Sequence, residues 1–272
     1  MTATQRWAEH LAAWAIPDDI LSGAPESPWV LPRQVFIRRA DAQIARPAGA
    51  THAAAVAALA TPGTVLDVGA AAGATSLPLL GRAPVRALTA VDADTELLAH
   101  FAARARTLGT TARVVEGRWP EQAGQAGAAD VVVCGNVLYN VVDLGPFVRA
   151  LTASARRTVI AEIAAAHPLT ELNPLWRRFH GIERPAGPTA EDCVAALAEL
   201  GVEPKVERWR REPEAEYATF AELVDVTRRR LCLPLKAESE VEAALLDLGV
   251  DPAVPPDLGS SGRELVTLSW PV

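Results

Sequence analysis

The chemistry most legible in this chain sits in "TVLDVGAAAGATSLPLL", Thr64 to Leu80, and in one aspartate beyond it. An apolar run ends there in a turn carrying Gly69 and Gly73, with three alanines between them. A turn of this kind brings backbone close to a ligand and aims free amide groups at it. Gly69 suits the tight turn and Gly73 suits close packing as a helix begins. Ala71 permits close approach only if its φ stays negative. Asp92 ends the next apolar run, "LTAVD", 19 residues after Gly73. A carboxylate at that place accepts hydrogen bonds from both hydroxyls of a ribose; the plainer reading is a solvated aspartate at a strand end. The dinucleotide pattern G-x-G-x-x-G wants glycine at 69, 71 and 74, and two of those positions are alanine, which weakens a dehydrogenase reading.

Positioning these groups takes an alternation of strands and helices. The expected strands are "TVLDVG", "VRALTAVD", "ARVVEG", "ADVVVCGNVL", "RRTVIAEI", "PKVERWRR" and the terminal "RELVTLSWPV". Between them, "ATSLPLLG" reads as a short helix bent at Pro78. "DTELLAHFAARARTLG" places Leu97, Leu98, Phe101 and Ala105 at helical spacing. "DLGPFVRALTASA" is a further helix, and "TAEDCVAALAELG" opens with capping-box spacing from Thr189 to Asp192. The rhythm predicts a Rossmann-like α/β fold: seven strands, mainly parallel, helices on both faces, and an antiparallel last strand in an edge hairpin. Residues 1–50 are helical but broken by prolines. Residues 213–250 hold two helices inserted before the last strand, free to pack on the sheet or on another subunit.

The chain has 272 residues, net charge −7 and pI near 5.3, with half its residues apolar. That fits one large domain, or one domain with an extra lobe. The acidic balance argues against general nucleic-acid binding, although arginine pairs cluster late, at "WRRF", "RWRR" and "TRRRL". No stretch reaches the roughly 18 unbroken apolar residues of a membrane span, and the first residues lack a signal-peptide pattern. Cys134, Cys193 and Cys232 are scattered and show no metal-ligand spacing, so no metal is expected and a cytoplasmic location is.

"VLDVGAAAG", "AVDAD", "VVEGRW" and "ADVVVCGNVLYNV", in that order and at these distances, resemble the motif set of class I S-adenosylmethionine-dependent methyltransferases. The resemblance spans Thr64 to Ile163. The later "HPLTELNPLWRRFHGIERPAGPTAEDCVAALAELG" is similar to a bacterial subfamily without an assigned acceptor. The resemblance implies S-adenosylmethionine as cofactor and S-adenosylhomocysteine as product. It implies that Asp67 orders the loop and bonds the cofactor's amino group. The turn Gly69, Ala70, Ala71 and Gly73 packs on its methionyl and ribose parts. Asp92 holds the ribose, with Ala93 against the adenine. In "EGRW" an acidic residue often follows the glycine to bind the adenine amine. Here Arg118 stands there and cannot accept a hydrogen bond, which leaves adenine to the backbone of Arg118 and Trp119 or to the Trp119 ring. Cys134, Gly135, Asn136 and Val137 line the transfer face. Residues 1–50 act as a lid over a methyltransferase domain at 51–272.

A methyl sulfonium is already a strong electrophile, so positioning does most of the work and no protein nucleophile is required. The Pro-Cys pair of cytosine-C5 enzymes and the (D/N)-P-P-(Y/F) tetrapeptide of amino methylation are both absent. Transfer to an O, N or C atom of a small molecule stays open. His167, His180 and Tyr139 are the candidates for proton work, each also readable as a structural side chain. Trp29, Phe36 and Trp176 are candidates to wall an acceptor pocket. Arg38 or Arg39 is a candidate to grip the methionyl carboxylate or an acidic substrate. Two other functions compete: methylation of RNA or protein, and a non-catalytic scaffold that kept the fold. A monomer and a homodimer are both compatible with the sequence.

Overall fold

The computed structural model describes residues 1–212, 215–254 and 263–272; positions 213 and 214, the first two of the expected insertion, lie outside the described residues. The chain begins with α1 (Ala3–Ala12), α2 (Asp18–Leu21), α3 (Arg33–Ala45) and α4 (Ala50–Ala58). Then come β1 (Gly63–Val68), β2 (Val85–Asp92), α5 (Thr95–Thr107), β3 (Arg113–Glu116), α6 (Ala123–Ala126) and β4 (Ala129–Gly135). They are followed by α7 (Leu144–Ser154), β5 (Ala155–Ala164), α8 (Asn173–His180), α9 (Ala190–Glu199), β6 (Lys205–Arg210), α10 (Phe220–Arg230), α11 (Glu238–Asp247) and β7 (Glu264–Pro271).

The seven strands form one sheet in the order β3-β2-β1-β4-β5-β7-β6. All neighbours are parallel except β7, which runs antiparallel to both β5 and β6. The β6–β7 hairpin does lie at the sheet margin, but β7 is its interior member and β6 forms the edge. The residues explain this: β7 buries Leu265, Val266, Thr267 and Leu268, whereas β6 is mostly exposed and carries charges.

Strands covered on both faces read as unbroken apolar runs. In β4, Val131 and Val133 enter the core built with Leu59, just past α4, and Phe101 of α5. Val132 and Cys134 face the opposite core, with Trp7 of α1, Phe147 of α7 and Leu197 of α9. Thr189 and Asp192 form the expected capping box at α9.

"ATSLPLLG" departs from expectation: it contains a single 3-10 turn, Leu77–Leu79, in place of an α-helix. Pro78 supplies no amide hydrogen, and Leu77 folds back against Gly73, where a Cβ would collide with it.

The segments outside the sheet rhythm find each other. Ile16, Val35, Leu172, Trp176, Leu223, Val241 and Leu245 share a separate apolar cluster. The N-terminal segment, α8 and the helices α10 and α11 therefore form one lobe. Arg228, fully buried in α10, ties the lobe with ion pairs to Asp225 and Glu26, both at 2.7 Å.

Candidate functional site

The site is built where β1, β2 and β4 end. Gly69 and Ala70 donate their amides to Val91 O, and the Gly73 amide closes the turn on Ala70 O. Gly69 and Gly73 have φ of +71° and +101°. Ala71 also turns left-handed, at φ +44°, so the negative φ set as the condition for close approach there is not met. Its amide must point at Asp92, where it reaches Oδ2 at 2.8 Å. A left-handed alanine costs roughly 1–2 kcal/mol, and the hydrogen bond to a carboxylate offsets part of it. A Cβ on Gly69 would strike the Val137 side chain, so the glycine turn and the segment after β4 are in contact.

Asp92 is half-buried. Its Oδ1 accepts from the Asp94 amide at 2.9 Å and its Oδ2 from Ala71, and each oxygen keeps lone-pair capacity for a further donor. Asp94 in turn caps α5 and binds Arg33 of α3. Ala93 is exposed beside it.

Asp67, at the foot of the turn, is fully buried; Ser76 lies near enough to ease its charge, but no donor reaches either carboxylate oxygen with full hydrogen-bond geometry. Burial pushes its pKa up to about 7, opposed by the neighbouring Ser76 and assisted by the negative charge of Asp92. A carboxylate left this way is an acceptor prepared for a cation.

The other predicted positions fall as follows. Arg118 is exposed, and Trp119 turns toward α7 to donate from Nε1 to Phe147 O at 3.3 Å. Cys134 lies wholly in the core, where burial raises its thiol far above the ordinary range. Gly135 is half-buried against Thr75, and Asn136, exposed at φ +59°, donates to Glu162 Oε1 at 2.6 Å. Glu162, buried on β5, also pairs with Arg211 at 3.1 Å. Sequence reasoning passed over it, although it is the one charge in "VIAEIAAA".

Phe36, Ile37 and Ala40 of α3 pack directly on Ala71, Ala72 and Ala74, so α3 covers the glycine turn. Arg38 and Arg39, the candidates to grip the methionyl carboxylate or an acidic substrate, are engaged by the chain's own carboxylates. Arg38 binds Glu222 at 2.6 Å and the Glu216 carbonyl at 2.8 Å, and Arg39 pairs with Glu216. Glu216, before α10, and Glu222, in its first turn, are carboxylates that the sequence pattern did not associate with α3.

The candidates for proton work are held in packing roles. Tyr139 donates to Ala164 O at 2.8 Å and stacks on Trp7, and burial raises its pKa. His167 stacks on Trp14 with ring centroids 4.1 Å apart and accepts from the Leu169 amide. Burial, then Arg263, Arg184 and Arg230, lower its pKa to about 4. His180 bonds Leu231 O at 2.7 Å through Nε2. None of these contacts is with the glycine turn.

Trp29 and Trp176 are brought together in a narrow pocket beyond the end of β5 that also includes Trp14, Arg184 and Arg230. Among the described residues no cluster of metal-ligating side chains occurs, and no helix is long and apolar enough to cross a membrane.

Comparison with known proteins agrees with this geometry. The family described as a methyltransferase domain matches residues 65–159, from β1 into β5. No curated protein matches. Among solved structures, a cyclopropane-fatty-acyl-phospholipid synthase-like protein from Lactobacillus casei is similar in fold, with TM-score 0.56 at 13% identity, over 93% of this chain and 97% of that one. YjhP from E. coli is similar with TM-score 0.52 at 16% identity, over 88% of this chain and 98% of that one. A methyltransferase domain thus matches the stretch from β1 into β5, and the sheet order with its antiparallel β7 is that of the Rossmann-like methyltransferase fold.

Proposed function

We propose that the chain transfers a methyl group from S-adenosylmethionine to a small-molecule acceptor. The observation that carries the reading is Asp67: a buried carboxylate that no donor meets with full hydrogen-bond geometry, at the foot of a glycine turn whose neighbour Asp92 keeps acceptor capacity. These residues fit the cofactor. Asp67 would face its cationic amine, Asp92 its ribose hydroxyls, and Gly69 to Gly73 would pack against the connecting atoms. Arg118, exposed where an acceptor for the adenine amine is common, leaves that base to backbone groups. The cofactor supplies an activated methyl group, so the chain's own residues need only bind, orient and exclude water. Residues 1–50 serve as the lid, with α3 covering the turn, over a methyltransferase domain at 51–272.

A small acceptor is favoured because the late arginines are already engaged. Arg177 pairs with Glu183, Arg178 with Asp247, Arg208 with Glu191 and Glu264, and Arg229 with Asp225. They do not form the free basic surface that RNA binding requires. The fixed Tyr139 and low-pKa His167 favour an acceptor atom that is nucleophilic without a strong protein base.

Calorimetric titration with S-adenosylmethionine and S-adenosylhomocysteine tests the reading. Both should bind, and Asp92→Ala should weaken them by about ten-fold or more, the worth of hydrogen bonds to a charged acceptor. Absence of binding at millimolar cofactor would leave the scaffold alternative standing instead.

A further inference from the structure

The pocket beyond β5 is unusual in its charge. Three indoles line it: Trp14 from the N-terminal segment, Trp29 from the loop after α2, and Trp176 from α8. Two arginines complete it. Arg184 lies between two of the indoles, its guanidinium carbon 5.5 Å from the Trp14 ring centre and 5.0 Å from that of Trp176. Its terminal nitrogens donate to the carbonyls of Trp14 and Ala15, and its Nε is buried without a partner. Arg230, the last residue of α10, makes no hydrogen bond and no ion pair among the described residues. Glu216, which favours its charge, is already bound to Arg39. Neither arginine therefore has a carboxylate of its own, whereas their neighbours Arg228 and Arg229 do. Burial lowers the pKa of both, yet a guanidinium stays charged in any protein. Two cations at one apolar cavity, one helped only by Tyr217 and a shared Glu216 and the other by carbonyls and indole faces, are costly without an anion of their own.

We propose that this pocket binds the anionic end of the methyl acceptor, a compact aromatic acid whose carboxylate sits between Arg184 and Arg230 and whose ring lies against the indoles. A guanidinium presents parallel N–H groups that match a carboxylate, and indole faces suit a flat ring. The slot is narrow, so only the carboxylate enters between the arginines and the ring rests at its open side. Trp29, 49% exposed, stands at its open side as the wall that a ring would meet first. The assignment of this ligand as acceptor rests on the methyltransferase reading; its charge and shape do not.

The test is calorimetry on the full chain with S-adenosylhomocysteine present, using benzoate, 2-naphthoate and indole-3-acetate, each against its neutral amide. At least one acid should bind about ten-fold or more tighter than its amide, as loss of a charge-assisted pair implies. Arg230→Gln should bring that acid down to the level of the amide, with S-adenosylhomocysteine affinity unchanged and the melting temperature no lower. Trp29→Ala should weaken acid and amide alike. Equal affinity of acid and amide, no binding of any acid to protein that binds S-adenosylhomocysteine, or an unaffected Arg230→Gln variant would each overturn the proposal. Wild-type protein that binds an acid but no S-adenosylhomocysteine would overturn the acceptor assignment and the methyltransferase reading, and leave the anion pocket.

Discussion

Replacing Asp67 by asparagine should make the free protein more stable above neutral pH and poorer at holding its cofactor. Asp67 is fully buried with no donor in full hydrogen-bond geometry, and its pKa is pushed from the ordinary 3.8 up to about 7. Well below pH 3.8 the carboxyl is protonated in both folded and unfolded chains and contributes nothing. As pH rises toward 7 the unfolded chain releases its proton while the folded one retains it, so stability falls, and the loss levels off above about 7. At about 1.36 kcal/mol per pH unit the full loss is about 4 kcal/mol, and about 2–3 kcal/mol of it develops between roughly pH 5 and pH 8. The asparagine side chain cannot ionise, and its amide has nearly the desolvation cost of the protonated acid. The stability difference between variant and wild type should therefore grow by about 2–3 kcal/mol over that range, or about 4–12 °C in melting temperature. Denaturant melts of both proteins at the two pH values read this directly. Cofactor affinity should fall about ten-fold or more in the variant, because a cation would lose its counter-charge. Parallel stability curves from roughly pH 5 to pH 8, or undiminished cofactor affinity, would refute the reasoning.

Three further outcomes follow from the geometry. Ala71→Gly removes a Cβ from a residue at φ +44° and should stabilise the chain by up to about 1 kcal/mol, read as a higher denaturation midpoint with cofactor affinity retained. Tyr139→Phe deletes the hydrogen bond to Ala164 O and should cost about 1 kcal/mol of stability, with turnover changed less than about three-fold; a loss of about a hundred-fold would restore Tyr139 as a proton donor or acceptor. Arg228→Ala leaves a cavity where the buried stem packed and should cost about 3 kcal/mol, whereas Arg228→Met, which refills that space and leaves only the half-exposed Asp225 and Glu26 without a partner, should cost clearly less in the same melts.

What the sequence disclosed and what it hid divide along physical lines. The strands of the parallel sheet were legible because burial on both faces leaves apolar runs such as "VVVC", and the motifs at their ends sit at regular spacing. The cap at Thr189 was legible because it is local. The turn after Gly73 was not: Pro78 and the contact of Leu77 with Gly73 jointly defeat a helix that either alone would permit. The sign of φ at Ala71 depends on a carboxylate from the next strand. Arg38 and Arg39 were legible as cations near the site, but their partners Glu216 and Glu222 come from the far end of the chain. The pocket of Trp14, Trp176, Arg184 and Arg230 likewise draws on three separate segments, and no motif spacing announces such a meeting.

The interior place of β7 has a consequence for how the chain is made. β6 emerges from the ribosome well before β7, yet β7 is its neighbour in the sheet and the strand that joins it to β5. Until Glu264–Pro271 is synthesised, the β5 flank stays open, and Lys205–Arg210 waits without its partner strand. The charges along β6, Lys205, Glu207, Arg208 and Arg210, keep that waiting ribbon from pairing with other nascent chains. Synthesis of β7 is then the event that closes the sheet between β5 and β6.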